Sequence, residues 1–122
     1  MVRAEVRKFA IADEFETNER CFITEAANDP VDETVSIARA RVKPGVTTAW
    51  HKLRGTDERY LIVSGQGSVE IGDFEAAPVI AGDVVCIPLD TPQRITNTGK
   101  DDLIFFAVCS PRFTPSCYIS LE

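Results

Sequence analysis

Gly45-Val46-Thr47-Thr48-Ala49-Trp50-His51-Lys52-Leu53, continuing through Arg54-Gly55-Thr56-Asp57-Glu58 to Gly65, is the stretch from which the rest of the chain can be read. Pro44-Gly45 stops the apolar run before it, because proline has no N–H for a ladder and glycine admits a positive φ. Thr47 to Leu53 then reads as a strand, Arg54-Gly55-Thr56-Asp57 as a short polar loop, and Glu58 to Ser64 as the next strand. Side chains alternate faces along a strand, so His51 and Leu53 point one way. Glu58, Tyr60 and Ile62 likewise share a face on the neighbouring strand. Two such strands can converge His51 and Glu58 on one interior.

Working outward, the same punctuation recurs in both directions. Arg20 to Glu25 and Val35 to Val42 read as earlier strands. Gly65-Gln66-Gly67 turns the chain into Ser68 to Ile71, and Gly72-Asp73 closes that strand. After Pro78-Val79-Ile80, the turn Ala81-Gly82-Asp83 leads into Val84 to Ile87. Pro88-Leu89-Asp90-Thr91-Pro92 is a rigid loop before Gln93 to Asn97, and Thr98-Gly99-Lys100-Asp101 precedes the apolar run Leu103 to Cys109. Helical periodicity is confined to a single turn near Ala10 to Phe15. Short strands at regular spacing between Gly, Pro, Asn and Asp turns predict an all-β fold, an antiparallel sandwich or barrel of six to eight strands.

The spacing of particular residues narrows this further. Gly45 and His51 have five residues between them; Leu53, Glu58 and Gly65 follow. Gly82 and Pro88 have the same gap, with Gln93 and Asn97 after them. This pattern resembles the two bipartite motifs of the cupin superfamily, over roughly Val35 to Cys109. The resemblance implies a jelly-roll β-barrel (double-stranded β-helix) with a small-molecule site inside. It divides 1–122 into an N-terminal arm and first strands (1–34), a barrel core (35–109) and a C-terminal tail (110–122), one domain in all. In cupins the matching positions surround a divalent metal with three imidazoles and a carboxylate; here two of those positions hold Leu53 and Gln93.

Composition excludes other classes. A net charge of −6 with Arg39 and Arg41 as the densest basic feature argues against nucleic acid, whose recognition needs clustered cations. No apolar run approaches the ~20 residues needed to span a bilayer, so no membrane partner is expected. Charges at Arg3, Glu5, Arg7 and Lys8 fall where a signal peptide needs apolar residues, which points to a cytoplasmic protein. Cys21, Cys86, Cys109 and Cys117 show no paired spacing and read as buried or free thiols, with Cys86 and Cys109 inert inside apolar strands.

Two readings of the site stand side by side. In one, His51, Glu58 and Gln93 hold a weakly bound divalent ion (Mn, Fe, Ni or Zn), with the hard oxygen donors leaning toward Mn, Fe or Mg. In the other no ion is present, and His51 and Glu58 bond each other or water in a half-polar cavity that Leu53, Tyr60, Ile62 and Gln93 help to line. His51 is the sole histidine. It is therefore the only side chain whose ordinary pKa lies near neutrality, and a His–carboxylate couple suits isomerisation, epimerisation or lyase chemistry. A non-catalytic metabolite-binding or sensing module is the alternative. Asn97 reads as a turn and hydrogen-bond residue, and Arg39 and Arg41 face either inward toward an anion or outward to solvent. The tail, with Pro111 and Pro115, is barred from a central strand and is expected to pack back over the barrel or a partner. Apolar residues at both parities of Val35–Val42 and Leu103–Cys109 predict a homodimer, with Val2 to Ile11 added to the partner's sheet edge.

Overall fold

Alternation in the sequence becomes alternation of burial. The structure is a computed structural model that describes residues 2–122. Its strands are β1 (Phe15–Glu16), β2 (Phe22–Ala27), β3 (Ser36–Val42), β4 (His51–Leu53), β5 (Asp57–Ser64) and β6 (Gln66–Ile71). They continue with β7 (Ala77–Ile80), β8 (Val84–Ile87), β9 (Gln93–Asn97), β10 (Leu103–Ser110) and β11 (Tyr118–Ser120). Every pairing is antiparallel, in one sheet ordered β1-β2-β3-β10-β5-β8 and another ordered β11-β4-β9-β6-β7. This is the expected jelly roll. It has more strands than anticipated because the short segments β1, β7 and β11 also pair, and the sheets stay two ladders without closing into one barrel.

The core lies between the sheets. Val42, Ile62, Val85, Leu103 and Phe105 from the first sheet meet Val69, Val79 and Ile95 from the second. In β5, Glu58, Tyr60 and Ile62 are buried while Arg59, Leu61 and Val63 are exposed, the period of two that the sequence predicts. Gly65 sits at φ +88°, and a Cβ there would stand 2.6 Å from the Asp102 carbonyl oxygen. Only glycine fits that turn.

Several boundaries move for local reasons. The first long strand begins at Phe22 rather than Arg20, because Arg20 adopts φ +67° and Thr17 closes a turn onto the Cys21 carbonyl at 2.9 Å. Only His51–Leu53 of the expected Thr47–Leu53 strand is regular. The preceding residues bend toward that turn: Ala49 N–H donates to the Glu19 carbonyl and the Arg20 guanidinium to the Thr47 carbonyl. Arg39 and Arg41 face outward, where Arg41 binds Glu14 at 2.7 Å and Asp102 at 3.2 Å, and Ala38 and Ala40 face in. The tail folds back within the chain, with β11 added beside β4 at a sheet edge, past both prolines. Val2 to Ala10 form no strand; instead the Phe9 ring meets the outward Phe106 ring edge-on at 6.5 Å. Cys86, expected to be inert and enclosed, is exposed on the outer side of β8. All four thiols are free. Among the described residues no helix is long and apolar enough to cross a membrane.

Candidate functional site

Small residues at the inward positions of two central strands leave room that larger ones would fill. Across the first sheet, Glu25, Ala38, Ala107 and Tyr60 lie in one register row, and Ser36, Cys109 and Glu58 in the next. Above this floor of alanines is a cavity of about 370 Å³. Its walls are mostly apolar, with the rings of Phe15, Tyr60, Phe105, Phe113 and Tyr118 around it. Phe15 and Glu25, both exposed, stand at its mouth.

His51 and Glu58 both line this cavity. His51 is 6% exposed, and its Nδ1 lies 2.8 Å from the Ala49 carbonyl oxygen. A carbonyl only accepts, so Nδ1 carries a proton, and in the neutral ring Nε2 is left with a free lone pair. The ring also stacks on Tyr118, centroids 4.8 Å apart.

Glu58 is bonded elsewhere. Gln93 Nε2 donates to its Oε1 at 2.7 Å, and the Cys109 thiol lies 3.7 Å from Oε2. The Tyr60 hydroxyl in turn donates to Gln93 Oε1. Burial pushes the Glu58 carboxyl up to about 7, against the Gln93 hydrogen bond and with a further push from the negative charge of Glu19. Burial likewise raises the Tyr60 hydroxyl and the Cys109 thiol well above their usual ranges, and holds Cys21 at about 12. These thiols are protonated and poorly nucleophilic.

The structure brings His51, Glu58, Leu53 and Tyr60 together on the cavity wall, where the sequence reading expects them. Gln93 and Ile62, expected to line the cavity as well, do not. Gln93, 1% exposed, sits behind the wall as a brace between Tyr60 and Glu58, and Ile62 is packed in the core. No hydrogen bond joins His51 to Glu58; each has its own partner. Sequence reasoning missed Glu19, Cys21 and Glu25, and also Tyr118, which arrives from the tail. Glu25 opposite Ala38 follows from strand parity once the register is known; Glu19 sits in an irregular turn that parity does not reach. Asn97 is structural as expected, since its Nδ2 binds the Val42 and Asp101 carbonyls and its Oδ1 accepts from Gly99 N–H.

The donor set does not fit a divalent ion. The Gln93 amide oxygen already accepts from Tyr60, the Glu58 oxygens already accept from Gln93 and the Cys109 thiol, and Leu53 offers no donor. Among the described residues no three His, Cys, Asp or Glu side chains are grouped closely enough to hold a metal.

Comparison with known proteins agrees with this architecture. The chain is 38% identical over 71 residues to an oxalate-binding protein of Thermotoga maritima, covering 58% of each chain. It is 34% identical over 79 residues to an uncharacterized protein of Methanocaldococcus jannaschii, covering 65% of this chain and 62% of the other. The chain therefore spans about three-fifths of the length of these curated relatives. Among solved structures, Pac13, a nucleoside dehydratase from Streptomyces, superposes with a TM-score of 0.77 at 19% identity, over 94% of this chain and 90% of the other. KdgF from Halomonas sp. gives 0.74 at 19% identity, over 86% and 94%. Residues 38–109 match the cupin domain family. With the two-sheet jelly roll and both glycine-framed motifs in place, the chain belongs to the cupin family.

Proposed function

We propose that the 122 residues form one cupin unit that binds a small organic molecule between its sheets and moves a proton on it, as an isomerase, epimerase or lyase. The observation that carries this is the fixed tautomer of His51, whose Nδ1–H is held by Ala49 and whose Nε2 is free on the wall of a cavity that also contains Glu58. Nε2 takes a proton from carbon next to a carbonyl, and the C–H electron pair moves to form the enol. The protonated Glu58 donates its hydrogen to the carbonyl oxygen. Return of a proton to either face or to the adjacent carbon completes epimerisation or isomerisation. Loss of a β-hydroxyl as water, with the hydrogen that His51 took from the α-carbon passing to the departing oxygen and the enol hydrogen returning to Glu58 as the carbonyl re-forms, completes a lyase reaction. The acid and base are matched because burial raises the Glu58 carboxyl to about 7, which leaves a large share of it protonated near neutrality. His51 and Glu58 are thus the proposed catalytic residues. Tyr60 and Leu53 shape the pocket, Ile62 supports it from the core, and Gln93 holds Glu58 in place.

Hydrogen–deuterium exchange tests this. The protein is incubated in D2O with small ketones and aldehydes carrying hydroxyl or amino groups, and label at the α-carbon is followed by NMR. His51→Asn and Glu58→Gln should each abolish enzyme-dependent labelling; labelling that persists in both would end the catalytic reading. A second reading, a non-catalytic metabolite binder, is favoured by the closed Tyr60–Gln93–Glu58 chain, which holds those groups still. It predicts saturable binding without label.

The outer face of β5 and β8, with Leu61, Val63 and Val84 exposed, is the surface on which we place a homodimer contact. β11 lies on the other sheet and leaves this face open. Four free thiols suit a reducing compartment, and the cytoplasm is the proposed location.

A further inference from the structure

We infer that the ligand of this cavity is a protonated amine with an apolar body, seated through Glu19 and Glu25 against the aromatic wall. The inference rests on the reading of the cavity as a ligand site and specifies the class of ligand it takes.

Among the described residues, no lysine or arginine lines the cavity, while three carboxyl side chains do: Glu19, Glu25 and Glu58. The nearby arginines are committed outside it: Arg20 to Glu122 at 2.7 Å, and Arg41 to Glu14 and Asp102. An anionic ligand would enter an apolar space lined by carboxyl groups with no lysine or arginine to meet it, and an unpaired ion is strongly disfavoured there.

The second observation is independent of the carboxylates. His51 is more than nine-tenths buried, and among the described residues its Nε2 makes no hydrogen bond. In the neutral ring, with the proton on Nδ1, it can only accept. Glu19 and Glu25 are acceptors as well. Tyr60 is spent on Gln93 and Thr17 on the Cys21 carbonyl, so the donors that remain in the lining, the Asn18 amide, the Ser36 and Thr48 hydroxyls and the Tyr118 phenol, are all neutral. A ligand that brings N–H donors meets these acceptors. An ammonium group brings up to three, together with the charge that the site lacks.

Rings complete the fit. Tyr60 and Phe105 pack 4.3 Å apart, and Phe15, Phe113 and Tyr118 extend the aromatic surface to the mouth. Cations over aromatic faces are stabilised, more so when desolvated. Along the floor, Glu25 is separated from Tyr60 by Ala38 and Ala107, three strand spacings or roughly 14 Å. That interval suits an apolar body lying over the alanines with its amine toward the carboxylates. Glu25 is open to solvent on one side and desolvated on the other, the position of a gatekeeping charge.

Three probes of similar shape and different charge decide the matter: benzylamine, benzyl alcohol and benzoate. Binding is read from the ring protons of His51, whose single occurrence makes its signals unique. Benzylamine should bind at least roughly tenfold more tightly than benzyl alcohol, and benzoate should not bind. Glu19→Gln and Glu25→Gln should each erode the preference for the amine while leaving benzyl alcohol unchanged. Equal affinity for amine and alcohol, or tighter binding of benzoate, overturns the inference and leaves the proton-transfer reading standing. If none of the three moves the His51 signals, the ligand-site reading falls with it.

Discussion

The imidazole of His51 stacks on the phenol ring of Tyr118, with centroids 4.8 Å apart and planes 21° from parallel. The two residues sit on the paired strands β4 and β11 at the edge of the second sheet, where Tyr118 stands opposite Leu53 and His51 opposite Ser120, so the tail meets the ring diagonally. Tyr118→Ala removes this support. We expect a stability loss of ~1 kcal/mol by urea denaturation and a broadened tautomer distribution in the imidazole nitrogen shifts. A sharp single tautomer in the variant would show that the Ala49 hydrogen bond alone orients the ring.

Glu58 makes stability depend on pH with a definite sign. Its folded pKa, about 7, is above the value of a solvated glutamate, so the native state binds the extra proton. The stabilisation is complete below the unfolded value and is lost as pH rises through about 7. Its full extent is on the order of 3 kcal/mol. Glu58→Gln should therefore flatten the stability profile between roughly pH 5 and 8 relative to the parent. Parallel profiles for the two proteins would show that Glu58 is ionised throughout.

Gln93 couples two buried groups that do not touch each other directly. Gln93→Leu leaves both the Tyr60 hydroxyl and the Glu58 carboxyl short of a partner and should cost ~2 kcal/mol. Tyr60→Phe alone should cost ~1 kcal/mol, and the double variant less than the sum, because the second change removes a group already unpaired. Strict additivity in a double-mutant cycle would contradict the network.

Metal affinity can be added where the chain lacks it. Leu53 shares a face with His51, and Gln93 is its register partner across the β4–β9 pair. Converting both, Leu53→His with Gln93→His, should create calorimetrically measurable binding of Mn or Ni, with Leu53→His alone giving a smaller gain. Equal affinity in the parent and the double variant would refute the assigned geometry.

For the outer apolar face, light scattering behind a sizing column should return twice the 13.4 kDa of one chain. Leu61→Lys with Val84→Lys, opposite one another in the β5–β8 pair, should halve it. A parent that already elutes as one chain would dispose of the dimer.

Strand parity carried most of the fold because β5 and β9 are half-buried and two-fold periodic, so Glu58, Tyr60 and Ile62 could be assigned to one face from their spacing alone. Depth was another matter. Ile62 faces inward yet lies in the core, since its cross-strand partner Phe105 occupies the cavity wall beside it. Gln93 faces inward but is drawn behind the wall by two hydrogen bonds that no pattern announces. Glu19 reaches the site through a turn in which Arg20 adopts a positive φ, and Tyr118 through a tail that crosses to the far edge of the second sheet. Both depend on contacts distant in sequence, where periodicity has nothing to say.

The order of atoms in the Tyr60–Gln93–Glu58 chain has a kinetic consequence. A carboxamide has fixed roles at its two ends, its oxygen accepting from Tyr60 and its nitrogen donating to Glu58. It transmits polarity but cannot hand a hydrogen from one neighbour to the next, as a water or a second carboxyl would. Glu58 therefore exchanges its proton with the surroundings by way of the cavity rather than through the brace, and a ligand that fills the cavity closes that route. Once occupied, the site becomes an isolated compartment in which the proton inventory of a single encounter is set before binding.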